Sequence, residues 1–333
     1  MTTKNISNLR IIFITDPIHT LPAKKDTTIG MMMGAHSLGL PIYYTEQPQI
    51  YLKEGTVHTT AKRVHLKLAG ENKLASEQDW YDVEAPENFT FGPNDIVLQR
   101  KDPPFNMHYI HTTYLLELIE KQGSLVCNNP RSLRDCNEKM FTTWFPELCP
   151  TTLVSSQSHH IKAFIAEHQD TIVKPLDGMG GSSIFRVKAD DPNLNVILET
   201  MTEHGQTSVM VQRYIPEITK GDKRIILING VPAPYLLARV PAKNETRGNL
   251  AAGATGVVQA LSDHDLKICQ TLGPELVKRG LYFVGLDVIG NYLTEINVTS
   301  PTGIRQIDAE KGTFLGKDLI EALINVWQSR HAQ

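Results

Sequence analysis

The chain predicts two kinds of mixed architecture in succession: a doubly wound α/β domain over residues 1–128, then two α+β lobes over 129–216 and 217–333. Three observations carry this. Up to about residue 128, short apolar runs alternate with helix-like segments, the pattern of β-α-β units. A strand–glycine loop–strand segment follows, Ile172 to Val187, with Lys174 ahead of its glycines. Near the C-terminus a second hairpin, Phe283 to Val298, carries acidic side chains on otherwise apolar strands.

In the first domain, Ile11–Ile14 reads as a buried strand ended by Asp16-Pro17, and residues 27–38 as a helix stopped by Gly39. Ile42-Tyr43-Tyr44 is the next strand, and 53–94 is polar and poorly periodic, with short strands at most. Ile96-Val97-Leu98 is buried again, with Arg100 at its C-terminal end, followed by a helix near 107–122 and the strand Leu125–Cys127. Ligands in such sheets sit beyond the carboxyl ends of the strands, where Asp16 and Arg100 fall. After Asn129-Pro130, Ser132 caps a predicted helix whose stripe is Leu133, Cys136, Met140, Phe141 and Trp144, ended by Pro146.

The central lobe reads as strands Thr152–Val154 and Val209–Gln212, helices near 158–168 and 193–203, and the glycine hairpin. The last lobe reads as strands Ile225–Ile228 and Tyr235–Val240 joined across Asn229-Gly230, the loop ETRGNLAAGATG, and a helix capped by Ser262 and ended at Gly280. The acidic hairpin follows, then an amphipathic helix with Leu319, Leu323 and Trp327 on one stripe.

Composition narrows the function. With 41% hydrophobic and 21% charged residues among 333, the chain has an ordinary globular balance. A net charge of −3 lacks the long-range attraction that nucleic-acid or anionic membrane binding uses. No apolar run reaches the length of a membrane span, and MTTKNISNLR has no signal-peptide core. Cys127, Cys136, Cys149 and Cys269 form no C-x-x-C pair, so reduced thiols in the cytoplasm are expected.

Lys174 ends the run Thr171–Val173, and Gly178, Gly180 and Gly181 lie in the loop that follows. A P-loop has the reverse order and opens a helix; here a hairpin could bring backbone N–H groups down onto phosphate oxygens. G-x-G-x-x-G fails because Ser183 stands where its last glycine belongs. In the acidic hairpin, a three-residue loop, Gly290-Asn291-Tyr292, sets Asp287 across from Glu295, with Asn297 on the same face. A two-residue loop would put the two carboxylates on opposite faces. Two carboxylates and an amide oxygen suit Mg²⁺, which takes the rest of its shell from phosphates and water. The run from Val209 to Pro216 could meet an adenine edge with backbone groups, and Arg224, Arg239, Arg247 and Arg305 suit phosphates and carboxylates.

These parts together resemble the ATP-grasp fold, preceded by a Rossmann-like α/β domain. QRKDPPF at 99–105, NPRSLRDCNEK at 129–139, KPLDGMGGSSIFRV at 174–187, ETRGNLAAG at 245–253 and TEINVTSPTGIR at 294–305 resemble the bacterial glutathione synthetase family more closely. The blocks run from the first domain to near the C-terminus.

The resemblance implies ATP-dependent joining of γ-glutamylcysteine and glycine through an acyl phosphate, with ADP and phosphate released. It implies ATP and Mg²⁺ as cofactors, two ions per site, with Mn²⁺ as an alternative. Lys139 and Lys174 would contact the phosphates, with Gly178, Met179, Gly180 and Gly181 covering them. Gln212, Tyr214, Ile215 and Leu293 would hold the adenine, and Asp222 the ribose. Arg224 and Arg239, with Lys174, would act in catalysis. Asp16, Arg100, Arg247, Ser300 and Arg305 would face the peptide substrate, and Asp287, Glu295 and Asn297 the metal. The loop at 242–256 would exclude water. Gly253-Ala254 stands where the family usually has two glycines. The resemblance also implies a cytoplasmic homo-oligomer, often a tetramer. Its rivals are another ATP-grasp carboxylate–amine ligase, such as a D-alanine–D-alanine ligase, and a nucleotide-binding module without turnover.

Overall fold

The computed structural model describes residues 6–178, 182–242, 248 and 253–331. Its first sheet has eight strands, built around β1 (Arg10–Ile14), which pairs in parallel with both β2 (Ile42–Thr45) and β9 (Asp95–Gln99). β10 (Leu125–Cys127) lies beyond β9, and β3 (Ile50–Lys53), β4 (Thr56–Leu66), β7 (Tyr81–Val83) and β8 (Glu87–Thr90) extend the other side. β5 (Leu68–Gly70) and β6 (Lys73–Leu74) form a separate small hairpin. The chain leaves β1 toward β2 and returns to β9 on the opposite flank, so the order reverses between β1 and β9. Asp16 and Arg100 follow these two strands, at the crevice such a reversal opens.

Residues of β1 alternate between two cores, as the two-residue period of a strand requires. Ile11 and Phe13 face α1 (Thr27–Ser37) and α8 (Leu315–His331); Ile12 and Ile14 face α2 (Met107–Lys121). The last helix of the chain therefore closes the first sheet. Its Trp327 is 1% exposed and donates from Nε1 to the Pro93 carbonyl at 2.7 Å. Contact between α1 and α8 is made at glycine: a Cβ on Gly316 would lie 2.0 Å from the Gly30 carbonyl oxygen, and one on Gly34 2.5 Å from the Gly316 backbone. Gly316→Ala is expected to force these helices apart and to destabilise the fold by about 3 kcal/mol, within the range of overpacking. A fall of several degrees in Tm checks it; an unchanged Tm would refute the tight packing.

The segment 53–94 is more ordered than its sequence predicts. β4 runs eleven residues and buries Val57, Thr59 and Ala61 on one phase, then Val64 and Leu66 on the other. Its first half pairs with β3 and β8 and its second with β2 and β7. The phase change and the buried Thr59, whose hydroxyl meets that of Thr45 at 2.7 Å, hide the strand from a periodicity count.

A second correction concerns the helix after residue 129. Asn129, and not Ser132, is the cap: its side chain accepts from Ser132 N, and Pro130 occupies the first turn. This helix, α3 (Pro130–Asp135), stops after six residues. Asn137 then starts a new turn by accepting from the backbone N–H of Lys139 and Met140, and residues Met140–Trp144 are 3₁₀. One long stripe is thereby split, and Trp144 is 57% exposed.

The central lobe is a four-stranded antiparallel sheet in the order β11 (Thr152–Ser155), β14 (Val209–Arg213), β12 (Asp170–Pro175), β13 (Phe185–Lys188). Helices α4 (Ser158–His168) and α5 (Leu194–Met201) contribute Ile161, Ile165 and Leu198 to its core. The C-terminal lobe is a six-stranded sheet of β15 (Asp222–Ile228), β16 (Val231–Pro232), β17 (Tyr235–Val240), β18 (Thr255–Ala260), β19 (Phe283–Ile289) and β20 (Tyr292–Asn297). α6 (Asp263–Lys278) carries the expected Ser262 cap, completed as a capping box by Asp265, and α7 (Ile304–Lys311) precedes α8.

Asn229-Gly230 turns with both residues at positive φ, but it leads into the two-residue β16 before the chain reaches β17. Thr255–Ala260, which the sequence places in or after the shielding loop, is a strand on β17. Gly253 sits at φ +90°, a conformation that suits glycine.

The four cysteines are free thiols. Burial pushes Cys127 up to about 12, Cys136 to about 11 and Cys269 to about 12, and it also raises the half-buried Cys149. At pH 8 these three buried thiols should react with a disulfide reagent more than about 100-fold slower than free cysteine, and rapidly once the chain is unfolded. Fast labelling of Cys127, Cys136 or Cys269 in the native protein would contradict the packing.

Candidate active site

A row of side chains crosses the C-terminal sheet. Strand register sets Arg224 of β15 beside Asp287 of β19, and Asp287 beside Glu295 of β20. The route to that register differs from the expected one. Ile289 pairs with Tyr292, so the loop is the two-residue Gly290-Asn291, and Val288 pairs with Leu293. A bulge then inserts Thr294, which returns Glu295 to the face of Asp287. The extra residue is bonded on two sides: its hydroxyl donates to the Asp287 carbonyl at 3.0 Å, and its own carbonyl accepts from Lys174 Nζ at 3.3 Å.

Arg224 grips Asp287 with Nε at 2.6 Å and Nη2 at 3.1 Å, and Arg239 reaches the same carboxylate at 2.9 Å. Burial alone would push Asp287 up, but the two guanidiniums outweigh it and hold the carboxyl well below the usual range. Burial pushes Asp222 up to about 7 against the pull of Arg239, to which its Oδ2 is bonded. Glu295 is likewise raised by burial, with Lys139 and Lys174 opposing. Lys139 is 1% exposed, and its Nζ lies 3.8 Å from Glu295 and donates to Glu138 and to the Gly178 carbonyl at 2.6 Å. Burial lowers Lys174, and Glu295 offsets part of that. Two lysines of the central lobe thus converge on one carboxylate of the C-terminal lobe.

Arg224, Arg239, Asp287 and Glu295 open into a cavity of about 620 Å³ between the lobes and the first domain, and Lys139 and Lys174 are not among its lining residues. Asp16, Arg100, Gly178, Arg224, Arg239, Asp287, Glu295, Asn297 and Ser300 line it together. Gln212 donates to Thr152 at 3.0 Å, and Tyr214 lies under the Arg186 guanidinium at 3.6 Å. Ile215 and Leu293 are buried, and none of these four residues lines the cavity. Asp222 does not line the cavity; its Oδ1 has no partner among the described residues. Arg305 is also elsewhere. It sits on α7, where its Nη1 meets Met33 Sδ at 3.2 Å and Asn72 Oδ1 at 3.4 Å. Met179, Gly180, Gly181 and Arg247 lie outside the described residues.

Several lining residues escaped sequence reading. Asn137 donates to the Leu176 carbonyl at 2.9 Å and, with Lys139, fixes the base of the glycine loop. Asp26, Thr28, Asp102 and Thr299 also line the cavity. Asp102 and Thr299 lie inside two of the quoted blocks; Asp26 carries only a helix-cap signal.

No cluster of three His, Cys, Asp or Glu among the described residues could hold an ion alone. The donor set suits a hard cation shared with phosphates: Asp287 and Glu295 abreast, and Asn297, whose buried Nδ2 has no partner among the described residues. Turned over, that amide presents its oxygen.

Family models for the prokaryotic glutathione synthetase N-terminal domain and ATP-grasp domain match residues 9–134 and 138–312. The chain belongs to the prokaryotic glutathione synthetase family. It is 50% identical over 315 residues to the glutathione synthetase of Vibrio parahaemolyticus, covering 95% of this chain and 98% of that one. Against that of Pseudomonas aeruginosa the identity is 51% over 316 residues, with 95% and 98% covered. Among solved structures, the ATP-grasp ligase PsnB complexed with a minimal precursor gives a TM-score of 0.64 at 16% identity, covering 98% of this chain and 100% of that one. D-cycloserine synthetase DcsG gives 0.63 at 10% identity, covering 95% and 99%. These likenesses show the ATP-grasp fold. As a family member the chain is an ATP-dependent carboxylate–amine ligase. No helix among the described residues is long and apolar enough to cross a membrane.

Proposed function

We infer that this chain joins γ-L-glutamyl-L-cysteine to glycine at the expense of ATP, through an acyl phosphate on the cysteinyl carboxylate. The observation that carries the reading is one cavity in which Arg224, Arg239, Asp287, Glu295 and Asn297 face residues of the first domain, in a chain alike along nearly its whole length to glutathione synthetases. A carboxylate is a poor electrophile, so it must first be phosphorylated; phosphoryl transfer is then mainly a matter of positioning and charge. Asp287, Glu295 and Asn297 would hold Mg²⁺ or Mn²⁺, two ions in our reading, which when bound neutralise phosphate charge. Lys139 and Lys174 would take the phosphate oxygens, and Arg224 and Arg239 would orient the reacting carboxylate. Gly178 begins the loop that would cover the phosphates, with Gln212, Tyr214, Ile215 and Leu293 around the adenine. The amine of glycine attacks the acyl carbonyl, phosphate leaves, and the proton released passes to solvent.

We propose 1–128, 129–216 and 217–333 as the three units of the chain.

 We propose that the protein acts in the cytoplasm as a homo-oligomer, and sedimentation at micromolar concentration tests that state. ADP release from ATP and Mg²⁺ should require γ-glutamylcysteine and glycine together and should match the glutathione formed. ADP release that proceeds with another carboxylate and amine but not with this pair would sink the substrate assignment.

A further inference from the structure

Arg224 is held by all three of its guanidinium nitrogens. Nε and Nη2 reach Asp287, and Nη1 donates to the Thr302 carbonyl at 3.2 Å. The first two bonds stay within the C-terminal sheet, between β15 and β19. The third leaves it. Thr302 belongs to a strap, residues 299–303, that runs from β20 to α7 and is bonded to the first domain. The Thr299 hydroxyl donates to Asp102 Oδ2 at 2.5 Å and the Ser300 hydroxyl to the Arg100 carbonyl at 3.1 Å, while the Pro301 carbonyl accepts from Arg100 Nη2 at 3.0 Å. At the end of the strap, the Gly303 N–H donates to the Thr27 hydroxyl at 3.2 Å.

The carbonyl of Thr302 and the N–H of Gly303 are the two poles of one planar peptide group. Arg224 and Thr27 therefore hold opposite edges of the same plate. Gly303 sits at φ +125°, and glycine takes either sign of φ, so the backbone by itself does not stop the plate from turning. Turned over, it would aim an N–H at the guanidinium. Thr27 is 0% exposed at the start of α1, and its β-branch restricts χ1, so its hydroxyl is a fixed point. Thr27 itself does not line the cavity.

We propose that Thr27 is a positioning residue for Arg224: its hydroxyl orients the Thr302–Gly303 peptide, whose carbonyl fixes the edge of the guanidinium that Asp287 leaves free. This rests on the function inferred above, in which Arg224 orients the reacting carboxylate. Asp287 holds the fork along one edge, about which it can tilt; the Thr302 carbonyl supplies the third point that removes the tilt. A buried hydroxyl of the first domain thereby sets the angle at which a cation of the C-terminal lobe meets the substrate.

Thr27→Val keeps the shape of the side chain and removes the acceptor, whereas Thr27→Ser keeps the acceptor. With γ-glutamylcysteine and glycine, Thr27→Val should lower kcat for ADP formation about 30-fold, with KM for ATP within about twofold of wild type, because the loss falls on alignment at the reacting centre. Thr27→Ser should stay within about threefold of wild type. A cycle with Arg224→Lys tests the route. Lysine has no fork to span Asp287 and the Thr302 carbonyl, so Thr27→Val should add no more than about twofold to the loss that Arg224→Lys causes. A further loss of about 30-fold in that background would show that Thr27 acts elsewhere and would overturn the proposal. So would a Thr27→Val enzyme within about threefold of wild type, or a Thr27→Ser enzyme as slow as Thr27→Val. Thr27→Ala carries the same expectations if the valine variant does not fold. Wild type inactive on γ-glutamylcysteine and glycine would bring down the functional reading, and this inference with it.

Discussion

Glu295→Gln is expected to lower kcat for ADP formation by about 1,000-fold, equivalent to about 4 kcal/mol of transition-state stabilisation. The substitution keeps shape and burial but removes the charge that Asp287 cannot supply, because Asp287 is already committed to Arg224 and Arg239. It also leaves Lys139 and Lys174 without the carboxylate between them. Excess Mg²⁺ should restore part of the rate if Glu295 is a cation ligand, and none of it if Glu295 acts only on the lysines. Circular dichroism should show an unchanged fold. A variant within threefold of wild type would end the assignment of Glu295 to the reacting centre.

Asn128→Ala should produce the largest loss of stability among single side-chain truncations at the junction of the domains. The Asn128 amide is 4% exposed and fully used. It donates to the carbonyls of Phe283 and Val298, each at 2.7 Å, and accepts from the N–H groups of Tyr282 and Phe283 at 2.8 and 3.0 Å. One side chain from the first domain thus closes four backbone groups of the C-terminal lobe. Each group left unsatisfied costs about 1–3 kcal/mol; with partial relaxation a total of about 4 kcal/mol is expected. Thermal unfolding should show a fall in Tm of about 8 °C or more. Asn129→Ala, which removes only the cap of α3, should cost about 1 kcal/mol. Equal effects at the two positions would show that the four bonds do not tie the domains.

The carboxylate row shows how sequence and structure divide the information. Asp287, Glu295 and Asn297 were legible as a set, because oxygen-bearing side chains on otherwise apolar strands need a reason. Their shared face was anticipated for the wrong cause. A three-residue loop and a two-residue loop with a bulge give the same facing, and only the register of Leu293 against Val288 separates them. Thr294 has no local feature that marks it as the inserted residue; its role comes from Lys174 and Asp287 on either side.

The helix after Asn129 failed for a different reason. Periodicity joined Leu133 to Trp144, whereas Asn137 competes locally for the N–H groups of Lys139 and Met140 and ends that continuity. That break orients Lys139 toward Glu295 and Gly178. Arg305, which its place in TEINVTSPTGIR suggested for the substrate, sits on α7 with its Nη1 toward Met33 and Asn72, a placement that the block alone does not give.

By itself the sequence determined the alternation of elements, the lysine-before-glycine hairpin, the acidic hairpin and the family, because these depend on residue type and short spacing. The tertiary structure alone decided that α8 closes the first sheet, that Asn128 binds the C-terminal lobe, and that Asp26 and Arg100 face one cavity. Those outcomes join residues separated by 74 to about 300 positions. No local propensity encodes such pairings; they are fixed by which buried polar groups find partners and which apolar faces close together when the whole chain packs.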